Sequence, residues 1–382
     1  MSRRPIRLCY VVSSEMTVSA FLKDHIAAAT AAGYQVTVVA NAGNDTFLRR
    51  QGLSVAFYSV SIVRQISPWC DATALLALLR IFRSERFEIV HSISPKAGIL
   101  AMVAARIVGI PHCVHTFTGQ VWITRKGLKR WILKQADCVL ARLTTRVLVD
   151  SPSQRDFLIT EGVVAAQKTE VIGKGAICGV DGSRFKPDAE MRRKLRRDWG
   201  IPFNAPVLLF LGRLNRDKGV LDLAAAFVKL AKKIKNVEIL FVGPDEGGMV
   251  DKLISICSEQ HGRVHFFDYT QSPEHFMAAA DIFCLPSYRE GFGMSIIEAA
   301  AAGLPTVASR IYGITDAIIE GLTGMLHPPG DVDAIEYHLR HLIMSPERLQ
   351  VLAAQARVRA LTDFSKIESS QALLDFYEKI SS

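Results

Sequence analysis

The sequence contains no C-x-x-C pair. Its seven cysteines, Cys9, Cys70, Cys113, Cys138, Cys178, Cys257 and Cys284, are scattered, several of them inside apolar runs. That pattern reads as buried free thiols in a reducing compartment, not as a disulfide framework. No run of about 18 uncharged apolar residues occurs, so no spanning helix is expected. The opening MSRRPIRLCYVVSSE returns to polar residues too soon for a signal peptide and reads as a first strand. The first strand–helix turn, SSEMTVS, lacks a G-x-G-x-x-G, which counts against a nicotinamide enzyme. Zinc-finger spacing, an aromatic RNA-binding signature and a basic heptad region are also missing, so nucleic acid is not an expected partner. No His/Cys/Asp cluster has metal-ligand spacing, so neither a metal nor another cofactor is expected. Internal repeats and low-complexity tracts are absent.

Acidic residues are scarce in one half. Residues 1–186 carry 24 Lys and Arg against 12 Asp and Glu, a net +12, whereas the remainder carries 22 against 25, a net −3. A basic half beside a mildly acidic one suggests that the first meets an anionic surface or substrate, and a membrane surface or lipid phosphate ranks first. With 382 residues, 49% apolar and 22% charged, the chain is globular and long enough for two domains.

What is present is alternation. IRLCYVVSS, QVTVVAN, SVAFYSV, EIVHSI, HCVHTF and RVLVDS read as strands, with helical stretches such as VSAFLKDHIAAATAAG, ATALLALLRIFRS and KAGILAMVAARIVG between them. A second series follows, with APVLLFLGRL, VEILFVG, RVHFFD, DIFCLPS and PTVAS as strands. Strand–helix alternation argues for parallel, doubly wound α/β sheets. The glycine-dense KTEVIGKGAICGVDGSRFKPD closes a first domain over 1–186, and a second runs over 187–363.

The chain is organised around Asp281 to Gly303. DIFCLPS is a buried strand, SYREGFG a glycine-bearing turn, and MSIIEAAAAG a helix that stops at Gly303. Glu290 falls in the turn and Glu298 about one turn into the helix, with seven residues between them. Gly291 and Gly293 permit close backbone approach, and a helix N-terminus offers N–H groups to anions. A phosphate cradle beside a carboxylate that can hold a sugar hydroxyl pair is what a nucleotide-sugar site needs.

SYREGFGMSIIEAAAAGLP resembles the E-x7-E motif of glycosyltransferase family 4. The resemblance extends over nearly the whole chain. It implies a GT-B fold, two Rossmann-like domains facing across a cleft, with a C-terminal helix over 364–382 crossing back to the first. It implies a retaining enzyme that uses a nucleoside-diphosphate sugar, with UDP-N-acetylhexosamine or a related UDP-sugar expected. Glu298 would hold the ribose hydroxyls and Glu290 the donor sugar hydroxyls. Backbone N–H groups from Gly291, Phe292, Gly293 and Met294 would face the diphosphate. LGRLNRDKGV matches the family's G-R…K-G motif. Arg213 and Lys218, five residues apart at a strand end, suit a diphosphate through forked hydrogen bonds and point charge respectively.

Further expectations concern the first domain. His115, in HCVHTFTGQVW, matches the family's strand-end histidine facing the donor sugar. His91 and Lys96, in IVHSISPKAG, would face the acceptor, since sequences resembling SPKAG recur in members that act on polyprenyl-linked saccharides. Ser14, in the first loop, is a further binding candidate, although this loop lacks the glycine that family members often carry. VWITRKGLKRWILKQ places Trp122 and Trp131 among Arg125, Lys126, Lys129, Arg130 and Lys134. It reads either as a headgroup-facing surface or as a solvated helix with two packed tryptophans. Asp331-Val332-Asp333 mimics the D-x-D of metal-dependent GT-A transferases, but it opens a helical run and Asp331 reads as an N-cap. The expected protein is cytoplasmic and peripheral on the inner face of the plasma membrane, with a lipid-linked saccharide acceptor. Two alternatives stay open: a GT-B epimerase acting on the nucleotide sugar, and a non-catalytic nucleotide-sugar-binding subunit.

Overall fold

The computed structural model describes residues 4–63, 65 and 67–382. Two compact units divide the chain, Met1–Gly179 with Lys366–Ser382, and Val180–Ser365.

The first unit holds a parallel seven-stranded sheet. Its strands are β1 (Arg7–Val11), β2 (Gln35–Ala40), β3 (Ala56–Ser59), β4 (Ile89–Ile93), β5 (His112–Phe117), β6 (Arg146–Val149) and β7 (Thr169–Val171). Their spatial order is β3-β2-β1-β4-β5-β6-β7. Most of these strands are near-continuous apolar runs because helices cover both faces of the sheet. One face packs against helices Pro68–Glu85, Pro95–Val108 and Gly127–Leu143. The other packs against Lys23–Ala31 and the final helix, Lys366–Ser381, which contributes Leu373, Leu374, Phe376 and Tyr377 to that core. The predicted first helix begins instead with a π-helical turn over Val18–Leu22.

The second unit repeats the plan with six parallel strands. These are β8 (Val207–Leu211), β9 (Glu238–Val242), β10 (Val264–Phe267), β11 (Ile282–Leu285), β12 (Thr306–Ser309) and β13 (Gly324–His327), in the order β10-β9-β8-β11-β12-β13. In both sheets the chain winds one way from the first strand and then the other. The switch lies between β1 and β4 in the first unit and between β8 and β11 in the second. Open α/β sheets bind ligands outside the carboxyl ends of the strands at that switch.

Local chemistry sets the helix ends. Pro68, Pro95, Pro152, Pro273 and Pro346 each open a helix, where a missing N–H costs nothing. Asp331 accepts from the Ala334 N–H at 2.9 Å and caps Val332–Ile343, the role its position suggests. Asp333 pairs with Lys229 at 2.6 Å. Among the described residues no helix is long and apolar enough to cross a membrane.

Candidate functional site

The site residues of the second unit converge at its switch point. β8 ends at Leu211, and Asn215 then caps a 3-10 turn over Arg216–Lys218 by accepting from the Lys218 N–H at 3.1 Å. Gly219 follows with φ +69°, and helix Val220–Ala231 begins. A Cβ on Gly219 would lie 1.9 Å from the Pro286 carbonyl oxygen, so only glycine lets this loop touch the end of β11. The Tyr288 N–H donates to the Asp217 carbonyl at 2.8 Å and ties the two loops again.

That packing brings Lys218 to Glu290. Lys218 Nζ donates to Glu290 Oε1 at 2.5 Å, and the buried Ser287 hydroxyl donates to the same oxygen at 2.8 Å. Arg213 reaches across to β9's loop, its Nη1 lying 3.1 Å from both oxygens of Glu246. A third loop closes on the others, because a Cβ on Gly313 would sit 2.2 Å from the Gly291 carbonyl oxygen. Helix Met294–Ala301 starts from Gly293, which has φ +83°. Its first N–H groups have no intrahelical acceptor and carry the positive end of the helix dipole.

Glu298 is the fifth residue of that helix and forms no side-chain hydrogen bond with a described residue. Burial pushes its carboxyl up to about 7; Arg184 pulls it down and Glu274 adds slightly to the rise. Glu298 stays partly exposed, so its carboxylate oxygens can accept from hydroxyls. Phe292 does not face outward. Its ring is buried against Phe364, with centroids 5.2 Å apart, so only its backbone can meet a ligand.

The first unit corrects several expectations. His91 lies mid-strand in β4, not at its end, and is buried. Its Nδ1 is 2.5 Å from the Tyr377 hydroxyl and its Nε2 is 2.7 Å from the Thr116 hydroxyl. Tyr377 in turn donates to the Tyr10 hydroxyl at 3.0 Å. With both nitrogens engaged inside the core, His91 faces no acceptor. His115 is also interior, two residues before the end of β5, with Nδ1 2.8 Å from the Ser92 hydroxyl. Its ring fills the space above Gly98, where a Cβ would lie 2.6 Å from Cε1. Burial drives both imidazoles down to about 3 and keeps them neutral. Just past the end of β5, Thr118 is half-buried, whereas Gln120 is buried, donating to the Thr118 carbonyl at 3.0 Å and accepting from Gln154 at 3.3 Å.

Lys96 opens helix Pro95–Val108 but is tied to Asp71 at 2.6 Å and to the Gln65 carbonyl. Ser14 follows β1, its hydroxyl 3.2 Å from that of Thr17. Trp122 is 1% exposed, so it cannot face headgroups. Its indole N–H donates to Asp137 at 2.8 Å, and its ring stacks on Phe157. Arg130 and Lys134 lean on that ring and both pair with Glu161. Helix Gly127–Leu143 instead exposes Leu128 (71%), Trp131 (60%) and Ile132 (50%), beside exposed Arg125, Lys126 and Lys129. Among the described residues, no group of three or more His, Cys, Asp or Glu is arranged to hold a metal ion.

Three site residues escaped the sequence reading. Ser287 precedes Glu290 by three residues in the same loop, Asn215 lies inside the basic loop, and Glu246 lies 33 residues from its partner Arg213. Only the first two had a local signal.

Two loop cations and two carboxylates thus lie on the strand-end loops of a doubly wound α/β sheet. The family model "Glycosyl transferases group 1" matches residues 191–359, and "Glycosyl transferase 4-like domain" matches residues 18–175. The chain belongs to glycosyltransferase family 4, with the GT-B fold, and is a glycosyltransferase. It is similar to the capsular polysaccharide biosynthesis glycosyltransferase CapM of Staphylococcus aureus, 28% identical over 308 residues, 80% of each chain. It is also similar to the Escherichia coli UDP-Gal:alpha-D-GlcNAc-diphosphoundecaprenol alpha-1,3-galactosyltransferase, 26% identical over 84% of this chain and 83% of that one. In fold it resembles Anabaena Alr3699/HepE, solved in complex with UDP, with TM-score 0.81 and 20% identity over 98% of this chain and 100% of that one.

Proposed function

We propose that the protein transfers a sugar, with retention of configuration, from a UDP-sugar to a lipid-linked saccharide during surface polysaccharide synthesis. The observation that carries this is that Lys218 pairs with Glu290 and Arg213 with Glu246 on the loops that follow β8, β9 and β11, at the β8–β11 switch point. Arg213 and Lys218 stabilise the charge that develops on the leaving diphosphate. The N–H groups that open helix Met294–Ala301 add to that. Glu298 holds the ribose hydroxyls. Glu290, held by Lys218 and Ser287, binds hydroxyls of the donor sugar and is not a nucleophile. The bond between the anomeric carbon and the phosphate oxygen breaks, and its electron pair stays on the diphosphate. The acceptor hydroxyl attacks from the same face and passes its proton to a phosphate oxygen. His91 and His115 are left outside the proton transfer, since both are enclosed in the core of the first unit.

The comparisons support the donor and acceptor classes. Anabaena HepE was solved with UDP and with UDP-glucose. The E. coli relative uses UDP-galactose and a diphosphoundecaprenol-linked sugar, and CapM belongs to capsule synthesis. An N-acetylhexosamine or related sugar remains the proposed cargo. Cytoplasmic placement with peripheral binding to an anionic membrane follows from that acceptor. The surface for it is Leu128, Trp131 and Ile132 with Arg125, Lys126 and Lys129, where each basic residue near an anionic membrane contributes about 1 kcal/mol.

A thermal-shift panel of nucleotide sugars tests the donor class. A ligand at 100 times its Kd adds about 2.7 kcal/mol of stability. Stabilisation by UDP-sugars is expected, and a flat panel would overturn the reading. Turnover of a UDP-sugar without any acceptor, to give an epimer, would move the protein to the epimerase class.

A further inference from the structure

We propose that Glu246 is the positioning residue of the diphosphate site, acting through Arg213 and Asn215. This rests on the reading of Arg213 as a diphosphate contact. The Glu246 carboxylate receives Arg213 Nη1 at 3.1 Å on each oxygen and Asn215 Nδ2 at 2.8 Å on Oε2. Asn215 then turns its Oδ1 to the Lys218 N–H at 3.1 Å. One carboxylate therefore organises the loop that carries both cations.

Glu246 is itself held by backbone. Beyond β8 and β9 the two chains stay zipped: Gly212 N–H donates to Val242, Leu214 N–H to Pro244, and Glu246 N–H to Leu214, each at 2.9 Å. A Cβ on Gly243 would lie 2.1 Å from the Gly212 carbonyl oxygen, so this approach too depends on glycine. The neighbouring Asp245 is used differently, accepting from the Met249 N–H at 2.7 Å where the next helix starts.

Stability does not explain the arrangement. Arg213 and Glu246 side chains are 40% and 37% exposed, and ion pairs that wet contribute little to folding. Glu246 also places a negative charge near the site of an anionic ligand, which by itself weakens binding. The arrangement makes sense if orientation outweighs that repulsion. A guanidinium has five N–H donors, and contact through Nη1 leaves those on Nη2 and Nε to grip a phosphate. Fixing the fork in advance removes the ordering cost when the ligand arrives.

The test is calorimetry on the full chain with UDP, and with uridine measured by displacement. Glu246→Ala should weaken UDP about tenfold and leave uridine and the thermal midpoint unchanged, because uridine lacks the phosphates. Glu246→Gln, which keeps an acceptor oxygen, should restore affinity to within about threefold of the parent. In an Arg213→Ala background, Glu246→Ala should have a smaller further effect, the part carried by Asn215 and the Lys218 loop. Tighter UDP binding in Glu246→Ala would mean that the carboxylate only repels, and equal losses for UDP and uridine would mean that it only maintains the loop; either result overturns the proposal. An additive loss on top of Arg213→Ala would also overturn it. If Arg213→Ala itself leaves UDP affinity unchanged, the diphosphate reading fails instead.

Discussion

The two units share a strand order up to the sixth strand, yet their strand ends are used differently. In the second unit the polar side chains beyond β8, β9 and β11 pair on the loops: Lys218 with Glu290, largely buried, and Arg213 with Glu246, well exposed. In the first unit the comparable chemistry is drawn inward. His91, Thr116, Tyr377 and Tyr10 form a closed chain of hydrogen bonds, and His115 is sealed beneath Gly98. The same topology thus carries ion pairs on its loops in one unit and a buried polar network in the other. Glycine is part of the reason. Gly219, Gly243 and Gly313 let loops of the second unit touch backbone to backbone, whereas Gly98 of the first makes room for a ring inside.

The sharpest test of the contrast is at Lys218 and Arg213. Either residue changed to alanine should lower turnover by about 100-fold or more, the scale of losing one charge-stabilising donor. For Arg213→Ala, whose ion pair is well exposed, the thermal midpoint should hardly move. Turnover should survive EDTA, since these cations supply the charge that a metal would otherwise provide. Activity that is lost on chelation and returns with manganese would break this half of the comparison.

The converse holds in the first unit. His91→Ala should destabilise by about 1–3 kcal/mol, chiefly through the Thr116 hydroxyl left unsatisfied, since Tyr377 keeps its bond to Tyr10. UDP affinity should be unchanged. The pH dependence has a definite sign. His91 and His115 titrate near 3 in the fold and near 6.5 when unfolded. Between those values the unfolded chain binds more protons, so stability falls as pH drops from about 6.5 towards 3. Replacing His91 with Gln should flatten part of that slope in denaturant melts. A variant that melts normally but loses turnover would place His91 back among the reacting groups.

Much of this division was legible from residue pattern. Apolar runs broken by helical stretches announced both sheets, and the glycine-bearing turns announced the loops of the second unit. The short edge strands β7 and β13 were not legible, because three or four residues carry too little periodicity. Nor was the burial of His91. Its partner Tyr377 lies 286 residues away on the final helix, and nothing local marks the pairing. Trp122 and Trp131 are alike in local sequence, but the helix starts at Gly127 and leaves Trp122 in a separate 3-10 turn that folds inward.

A smaller effect is expected at Glu298. Glu298→Ala should weaken UDP about tenfold, as charge-assisted hydrogen bonds contribute roughly 1.5–3 kcal/mol. Its carboxyl titrates near 7, and hydroxyl donors favour the ionised form. UDP affinity should therefore rise with pH through about 7 and level off above it. Glu298→Gln should remove that component and leave only the titration of the phosphate. Calorimetry at several pH values decides it, and an identical pH profile in both proteins would remove Glu298 from the ribose.

The smallest effect on the fold belongs to Trp131. Trp122→Ala empties a packed interior and should cost about 3–5 kcal/mol. Trp131→Ala, at a site 60% exposed, should change unfolding by no more than about 0.5 kcal/mol. Its effect should appear elsewhere. Leu128, Trp131 and Ile132 lie on one helical face, since positions three and four apart are neighbours, and exposed cations flank them. Tryptophan prefers the boundary between headgroup and chain, and salt screens the cationic part. The parent should co-sediment with anionic vesicles at low salt and release at high salt. Trp131→Ala should weaken that binding at both salt levels, whereas Arg125, Lys126 and Lys129 changed to Gln should weaken it chiefly at low salt. UDP affinity should be equal in all three proteins. If sedimentation is indifferent to Trp131, this exposed face does not insert, and the contrast between the two tryptophans reduces to packing alone.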